Sequence, residues 1–264
     1  MSEDEETGVK HGCGLWLGCA VALVLAAGAL LSWQTARRAD RDLRAGMLRQ
    51  MGLMARDVSI ADIQALSGTE ADLASPGYFR LKEQFISVGA ATPKCRFLYL
   101  VGKKPDGALF FYLDSEPADS QAYSPPGQLY EEASAGFRRA VYTGTQAVEG
   151  PVTDRWGVWV SGLVPLVSPQ TGAMAAVLGM DIDAHVWKWM LVRAALPPAL
   201  LTLALAVLLL FSRRVACWCY RAQPVWLQRL EAGLAAGAGW LAGLPAKLLA
   251  ACAAGLWERR EKNP

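Results

Sequence analysis

The chain has 264 residues, of which 53% are hydrophobic, and a formal net charge of +2. That length has room for two or three membrane helices and one globular domain, but not for a second large domain. The nearly balanced charge excludes a strongly basic nucleic-acid-binding protein, and most basic residues lie beside apolar segments. Of the six cysteines, only Cys95 lies between those segments, so no disulfide framework is expected there.

Two uncharged apolar segments, 15–33 and 194–212, have the length of transmembrane helices. Each has about 19 residues and as a helix would be about 28 Å long, close to the hydrocarbon thickness of a bilayer. A cleaved signal peptide is the alternative for the first segment, but acidic residues 3–6 stand where a signal peptide needs positive charge. We therefore expect a tail at 1–14 and two uncleaved transmembrane helices, 15–33 and 190–212.

Residues 34–188 are predicted to form one soluble α+β domain. An amphipathic helix continues from the first span, and Ser59 and Ser75 begin two further helices. Alternating aromatic and β-branched residues then predict strands at 96–101 and 108–114, joined by a turn. A long proline-rich loop follows, and beyond it the pattern predicts a helix at 129–143 ended by Gly144, strands at 156–167 and 173–183, and a helix that continues into the second span.

The C-terminal part is predicted to contain a basic connector at 213–227, a helix at 228–257 and a tail at 258–264. The helix is apolar but rich in glycine, so a third span and an interfacial helix both remain open. Arginines follow both spans, so positive charge favours the cytoplasm for the domain and also for the segment after the second span. These two parts lie on opposite sides of the second span, so they cannot both be cytoplasmic. Because a long folded loop can cross despite its charge, we expect a bacterial inner-membrane protein with the domain outside and Arg213 inside the cytoplasm.

Several short strings within the domain occur in a characteristic order: RFLYLV (96–101), PDG (105–107), FFYLDSEP (110–117), YSPPGQ (123–128), GPVTDRWGVWVSGLVP (150–165) and LGMDIDA (178–184). Together they resemble the N-terminal sensing region of bacterial sensor histidine kinases and diguanylate cyclases. Such regions contain Cache or PDC domains, the extracytoplasmic relatives of PAS folds. The resemblance covers about residues 39–188 and implies a PAS-like antiparallel sheet with N-terminal helices. The resemblance also implies a kinase or cyclase output module. Because the sequence shows no kinase or cyclase motif, this module is expected to be missing here or to act in trans, on a separate protein.

Cache-type domains bind small molecules between the sheet and the loops above it. Asp114 and Glu116, at a strand end, could bind an amine. Arg155, close to Trp156 and Trp159, could bind a carboxylate. Opposite strand parity places at least one of these tryptophans in the core, and residues 154–155 also fit a plain turn. The complete set of candidate ligand-binding residues is Asp114, Glu116, Tyr123, Arg155, Trp156, Trp159 and Asp181.

Other side chains are expected to have structural roles. Tyr99 and Tyr112 are predicted to be core or sheet-face aromatics. For Asp181 and Asp183, at the end of the last strand, helix capping and coupling to the next helix are both open. The two histidines, His11 and His185, flank the spans, so no histidine-based catalytic or metal site is expected in the domain.

The sequence therefore predicts a membrane-anchored sensory input module without enzymatic activity, cofactor or metal. It should bind a small molecule, form a homodimer and pass a conformational signal through its membrane helices to a kinase or cyclase output. The alternative is a non-signalling membrane protein whose soluble domain docks a partner. No nucleic-acid partner is expected.

Overall fold

The computed structural model describes the backbone of residues 3–221 and most side chains of 16–214. The helix predicted at 228–257 lies outside the described residues. Of two structural units, residues 22–204 contain the sheet, and the described part of the other is helical at 3–21 and 205–221. The described elements are α1 (Glu3–Asp57), α2 (Ile60–Gln64), a 3-10 turn (Glu70–Ala74), α3 (Pro76–Ala91), β1 (Phe97–Lys103), β2 (Leu109–Asp114), α4 (Ala135–Thr143), β3 (Ala147–Asp154), β4 (Gly157–Val167), β5 (Met174–Asp183) and α5 (Ala184–Arg221).

Two of these helices are long and apolar enough to cross a membrane. The candidate spans lie in Trp16–Asp57 and Ala184–Ser212, and only 6% of the most apolar window of each is buried within the protein. They are therefore not core helices of a soluble domain, and their apolar side chains face outward. As predicted, each is continuous with the domain: α1 runs on to Asp57, and α5 begins directly after β5.

The five strands form one antiparallel sheet in the order β2-β1-β5-β4-β3. This arrangement confirms the predicted α+β class and places the four predicted strands in one sheet. Strand β3 was not predicted. Gly150 and Pro151 interrupt its pattern, and they are tolerated because β3 is an edge strand and its register shifts between Glu149 and Val152.

The helix predicted at 129–143 begins only at Ala135. Residues before it cover the outer edge of β2 instead, since Leu129 forms a bridge with Phe110 and the Tyr130 N–H donates to the Leu109 carbonyl at 2.9 Å. Ser134 then caps α4 by accepting a hydrogen bond from the Phe137 N–H at 2.9 Å. The predicted stop is confirmed, because Gly144 has a φ of 64°.

The sheet is buried on both faces. One face packs against α1, α2 and α3 and the start of α5, while the other packs against α4 and the segment 115–134. Alternation along β1 sends Leu98 and Leu100 into the first core, and Phe97, Tyr99 and Val101 into the second. The helices that lead to the membrane and the cavity described below thus lie on opposite faces of the sheet.

The helix-side core should dominate the stability of the domain. Leu178, on the central strand β5, is 0% exposed, so replacing it by alanine should lower the free energy of unfolding by about 2–5 kcal/mol. Leu53→Ala is the matched control, because that side chain is 63% exposed. Thermal unfolding of the full chain in detergent, followed by tryptophan fluorescence, measures both. Equal unfolding temperatures for the two variants would contradict this packing.

Candidate ligand-binding site

A cavity lies on the face of the sheet opposite α1, α2 and α3. It is enclosed by β1, β2 and β5 below, by the loop at 115–130 and by the turn between β3 and β4. Three carboxylates line it, on three different strands: Asp114, Asp154 and Asp181. Five aromatic rings form most of the remaining wall: Phe97, Tyr99, Phe111, Tyr130 and Trp156. Among the residues that the structure describes, no lysine, arginine or histidine lines this cavity.

Asp181 lies at the bottom of the cavity and is only 5% exposed. The Tyr99 hydroxyl donates a hydrogen bond to its carboxylate at 3.1 Å. Burial raises the pKa of Asp181 to about 7, although the hydroxyls of Ser161 and Tyr99 act in the opposite direction. Gly179, the cross-strand partner of Tyr99, makes this contact possible, because a Cβ at that position would overlap the tyrosine ring.

Asp114, at the end of β2, holds the loop above the cavity. Its carboxylate accepts hydrogen bonds from Lys82 Nζ at 2.9 Å and from the backbone N–H of Ser124 at 2.6 Å. Burial raises the pKa of the Asp114 carboxyl, whereas Lys82 and the backbone donors act to lower it. Unlike Asp181, Asp114 therefore has a neutralising cation of its own.

Asp154 organises the turn between β3 and β4. Its Oδ1 accepts from the Trp159 indole N–H at 2.9 Å and from the backbone N–H of Trp156 at 2.9 Å, and its Oδ2 accepts from the Tyr130 hydroxyl at 3.2 Å. A turn was one interpretation of residues 154–155, and the structure shows both a turn and a carboxylate at the cavity wall.

Three of the predicted site residues, Asp114, Trp156 and Asp181, come together in this cavity. Trp159 does not line it, since it is buried behind the wall against Phe97, with ring centroids 5.0 Å apart. At least one of the two tryptophans was predicted to lie in the core from strand parity, and Trp159 does. Parity does not account for Trp156, because it lies in the turn before β4 and packs on the same side of the sheet as Trp159.

The other three predicted site residues point elsewhere. Arg155 forms an ion pair with Glu132 at 2.8 Å on the surface, over the outer side of the Trp156 ring. Glu116 pairs with Arg96 at 2.5 Å, outside the cavity. Tyr123 contacts Tyr78 through their hydroxyls at 3.1 Å. Each of the three contacts another side chain of the domain instead of the cavity.

Sequence reasoning missed several lining residues. Tyr99 was predicted to be core or sheet-face, yet its hydroxyl reaches into the site; Asp154 was assigned to a turn alone, and Tyr130 to a helix that begins later. Alternation along β1 and β2 was an available signal, because it places Phe97, Tyr99 and Phe111 on one face.

The cavity is nearly closed in the described conformation. Its volume is about 20 Å³, which is room for one water molecule and not for an organic ligand. Within the described part of the chain, no group of three or more His, Cys, Asp or Glu side chains is arranged to hold a metal ion.

No protein-family model matches the sequence, and no curated protein matches it. Several solved structures are similar to part of this chain. The ligand-binding domain of the chemoreceptor Tlp3 from Campylobacter jejuni, in complex with 4-methylisoleucine, has a TM-score of 0.41 at 15% identity, over 64% of this chain and 62% of that chain. The periplasmic domain of RsbU from Chlamydia trachomatis has a TM-score of 0.41 at 12% identity, over 67% of this chain and 56% of that chain.

A third similar structure is a domain of a sensory box/GGDEF family protein from Vibrio parahaemolyticus, with a TM-score of 0.30 at 15% identity, over 58% of this chain and 62% of that chain. This chain thus matches about three fifths of the length of these solved domains. The solved structures that it is similar to are sensory and periplasmic domains.

Proposed function

We propose that the chain is a membrane-anchored sensory input module whose domain binds a small organic cation and signals through α1 and α5. One observation carries the proposal. Asp181 is a buried carboxyl at the bottom of an aromatic cavity, and none of the ion pairs among the described side chains includes it. A buried carboxylate is costly unless a cation pairs with it, so this cavity favours a ligand that brings the positive charge.

The surroundings of Asp181 narrow the class of ligand. The rings of Tyr99, Phe111 and Trp156 line the cavity, and the π-face of an aromatic ring attracts an ammonium group. Asp154, at the opposite wall, adds a second negative charge, whereas no cationic side chain lines the cavity to receive an anion. We therefore favour a primary or substituted amine over the carboxylate that Arg155 suggested from the sequence.

Ligand binding requires the cavity to open, because its present volume of about 20 Å³ excludes an organic molecule. The loop above it is held by Lys82, which bonds the Asp114 carboxylate and backbone oxygen, each at 2.9 Å, and the Glu116 carbonyl. On the other side of the cavity, the wall is formed by Trp156, which lies in the turn between β3 and β4 and is only partly buried. A ligand that pairs with Asp181 would thus change the positions of both walls, and this change is the proposed signal.

The sheet connects the cavity to both membrane helices. Asp181 lies in β5, three residues before α5 begins. Asp154 lies at one end of β3, and near the other end the Arg44 guanidinium of α1 donates to the carbonyls of Val148 at 3.2 Å and Gly150 at 3.1 Å. A movement of β3 or β5 is therefore passed to the helices by hydrogen bonds and by chain continuity.

We extend the proposal to the setting of the module. It is a multi-pass protein of the bacterial inner membrane, with its domain outside the cytoplasm, acting as a homodimer on a kinase or cyclase output in trans or elsewhere in the protein. A cavity whose buried carboxyl forms no ion pair with a described side chain supports ligand sensing over the alternative of a domain that only docks a partner, since a docking surface needs no such group.

A thermal-shift screen tests the ligand class. The full chain in detergent is heated with amines and amino acids, each beside its N-acetylated form, and with carboxylates that lack an amine. We expect at least one amine to raise the unfolding temperature by about 5–10 °C at a hundredfold excess over Kd, with no effect of its acetylated form. Stabilisation by acetylated and free amines alike, or by carboxylates only, would contradict the proposal, as would a screen in which no amine acts.

A further inference from the structure

A second concavity, which we call the membrane-end groove, lies on the other face of the sheet. It is bounded by α1, by α5 and by the turn between α3 and β1, and its volume is about 800 Å³. Met47, Met180 and Trp187 form its floor. Because Met180 and Asp181 are neighbours on one strand, their side chains point to opposite faces, and the groove is separate from the ligand cavity.

One end of the groove lies close to the ends of the two apolar segments. Arg193 and Ala194, at the start of the second apolar segment, line one end. Ala39 lines it from α1, six residues beyond Trp33 and therefore about 9 Å along the helix from the end of the first span. Trp33 and Trp189 are 51% and 55% exposed, as is typical of tryptophans in the membrane interface.

The groove combines an apolar floor with a cationic rim. Its methionines, which include Met190, form an adaptable apolar surface. Lys94 and Arg193 are exposed at the rim, and neither takes part in an ion pair with another described side chain. Asp42 is the one carboxylate in the lining. Further exposed cations lie nearby on the helices: Arg37, Arg38, Arg41 and Lys188.

We propose that the membrane-end groove binds an anionic phospholipid from the membrane leaflet that faces the domain. Lys94 and Arg193 contact the headgroup, and the apolar floor contacts the first part of an acyl chain. A second copy of the chain is a poorer occupant, because the cations of two copies would face each other. Since α1 and α5 both bound the groove, a bound lipid also links membrane composition to the spacing of these helices.

Lipid retention tests the proposal on the full chain. The protein is reconstituted into nanodiscs of equal parts phosphatidylcholine and phosphatidylglycerol, extracted gently, and the retained lipid is identified by native mass spectrometry. We expect preferential retention of phosphatidylglycerol. The double variant Lys94→Gln and Arg193→Gln should bind it about 25-fold more weakly, since each cation at a membrane surface contributes about fivefold. Lys188→Gln, at the same level but outside the groove, should retain it as the wild type does.

A second variant tests the groove without changing any charge. Gly46 lines it, and a Cβ there would meet only the tip of Arg49, at 3.7 Å. Gly46→Leu should place a bulky side chain in the part of the groove beside α1 and favour the helix, so lipid retention should fall several-fold while the unfolding temperature is maintained.

Three outcomes would overturn the lipid site. The first is equal retention in the wild type and in both groove variants. The second is an equal loss in Lys188→Gln, which would indicate diffuse charge attraction. The third is conversion of a dimer to a monomer by Gly46→Leu, which would show that the groove is an interface between copies.

Discussion

Asp181→Asn should abolish the thermal shift produced by an amine and should weaken amine binding by at least about a hundredfold. An asparagine keeps the shape and can accept the Tyr99 hydrogen bond, but it leaves a buried cation without its counterion, which costs about 3 kcal/mol or more. Asp119→Asn is the matched control, because Asp119 is exposed in the loop at 115–128 and does not line the cavity. Binding is measured by calorimetry on the full chain with the amine that gives the largest shift.

The same substitution should change how stability depends on pH. In the folded domain the pKa of Asp181 is about 7, above its ordinary value of 3.8. Between these values the folded state holds a proton that the unfolded state has lost, so the free energy of unfolding falls as pH rises through this window. The contribution is at most about 1.4 kcal/mol per pH unit, and Asp181→Asn should remove it. Without ligand, the variant should therefore be more stable than the wild type above pH about 7 and equally stable near pH 4.

Ligand affinity should follow the opposite course. A cation binds the ionised carboxyl, so amine affinity in the wild type should rise about tenfold per pH unit towards pH 7 and then level off. Unchanged amine affinity in Asp181→Asn, or a wild-type affinity independent of pH from about 5 to 7, would remove Asp181 from the binding site. The Asp119→Asn control should show the wild-type profile in both measurements.

Arg44→Met should separate ligand binding from the movement of the membrane helices. The Arg44 guanidinium bonds β3 and also Asp40 at 2.8 Å, and Asp40 accepts the indole N–H of Trp187 from α5 at 2.8 Å. This junction therefore joins α1, α5 and the strand that carries Asp154. Without the guanidinium, the unfolding free energy should fall by about 1–3 kcal/mol, while the distant cavity keeps its ligand affinity within about threefold.

Spin labels at positions 38 and 188, both exposed and outside the apolar segments, report the distance between α1 and α5. We expect ligand to change this distance in the wild type and in Arg49→Met, a control on an exposed arginine of α1, but not in Arg44→Met. Trp187→Phe keeps an aromatic side chain but loses the indole N–H and part of the buried volume, so it should give a smaller response than the wild type. A full ligand-dependent change in Arg44→Met would show that the signal takes another route.

The sequence by itself determined the parts of this protein that depend on local pattern. Length and lack of charge define the two apolar helices, and alternation with turn residues defines β1, β2, β4 and β5, because these signals act within a few residues. Local capping chemistry likewise placed Pro76 at the start of α3 and Gly144 at the end of α4. The weakly patterned β3 was missed because an edge strand pairs on one side only and can contain glycine and proline.

Only the tertiary structure decided which side chains meet. Asp181 contacts Tyr99, 82 residues earlier, because β5 is inserted between β1 and β4 in the sheet. The Arg155 side chain pairs with Glu132 on the surface, although its position beside the tryptophans suggested a binding role. Its neighbour Asp154 lines the cavity instead. Strand order and the direction of a turn are set by packing across the whole domain, so no local pattern carries them.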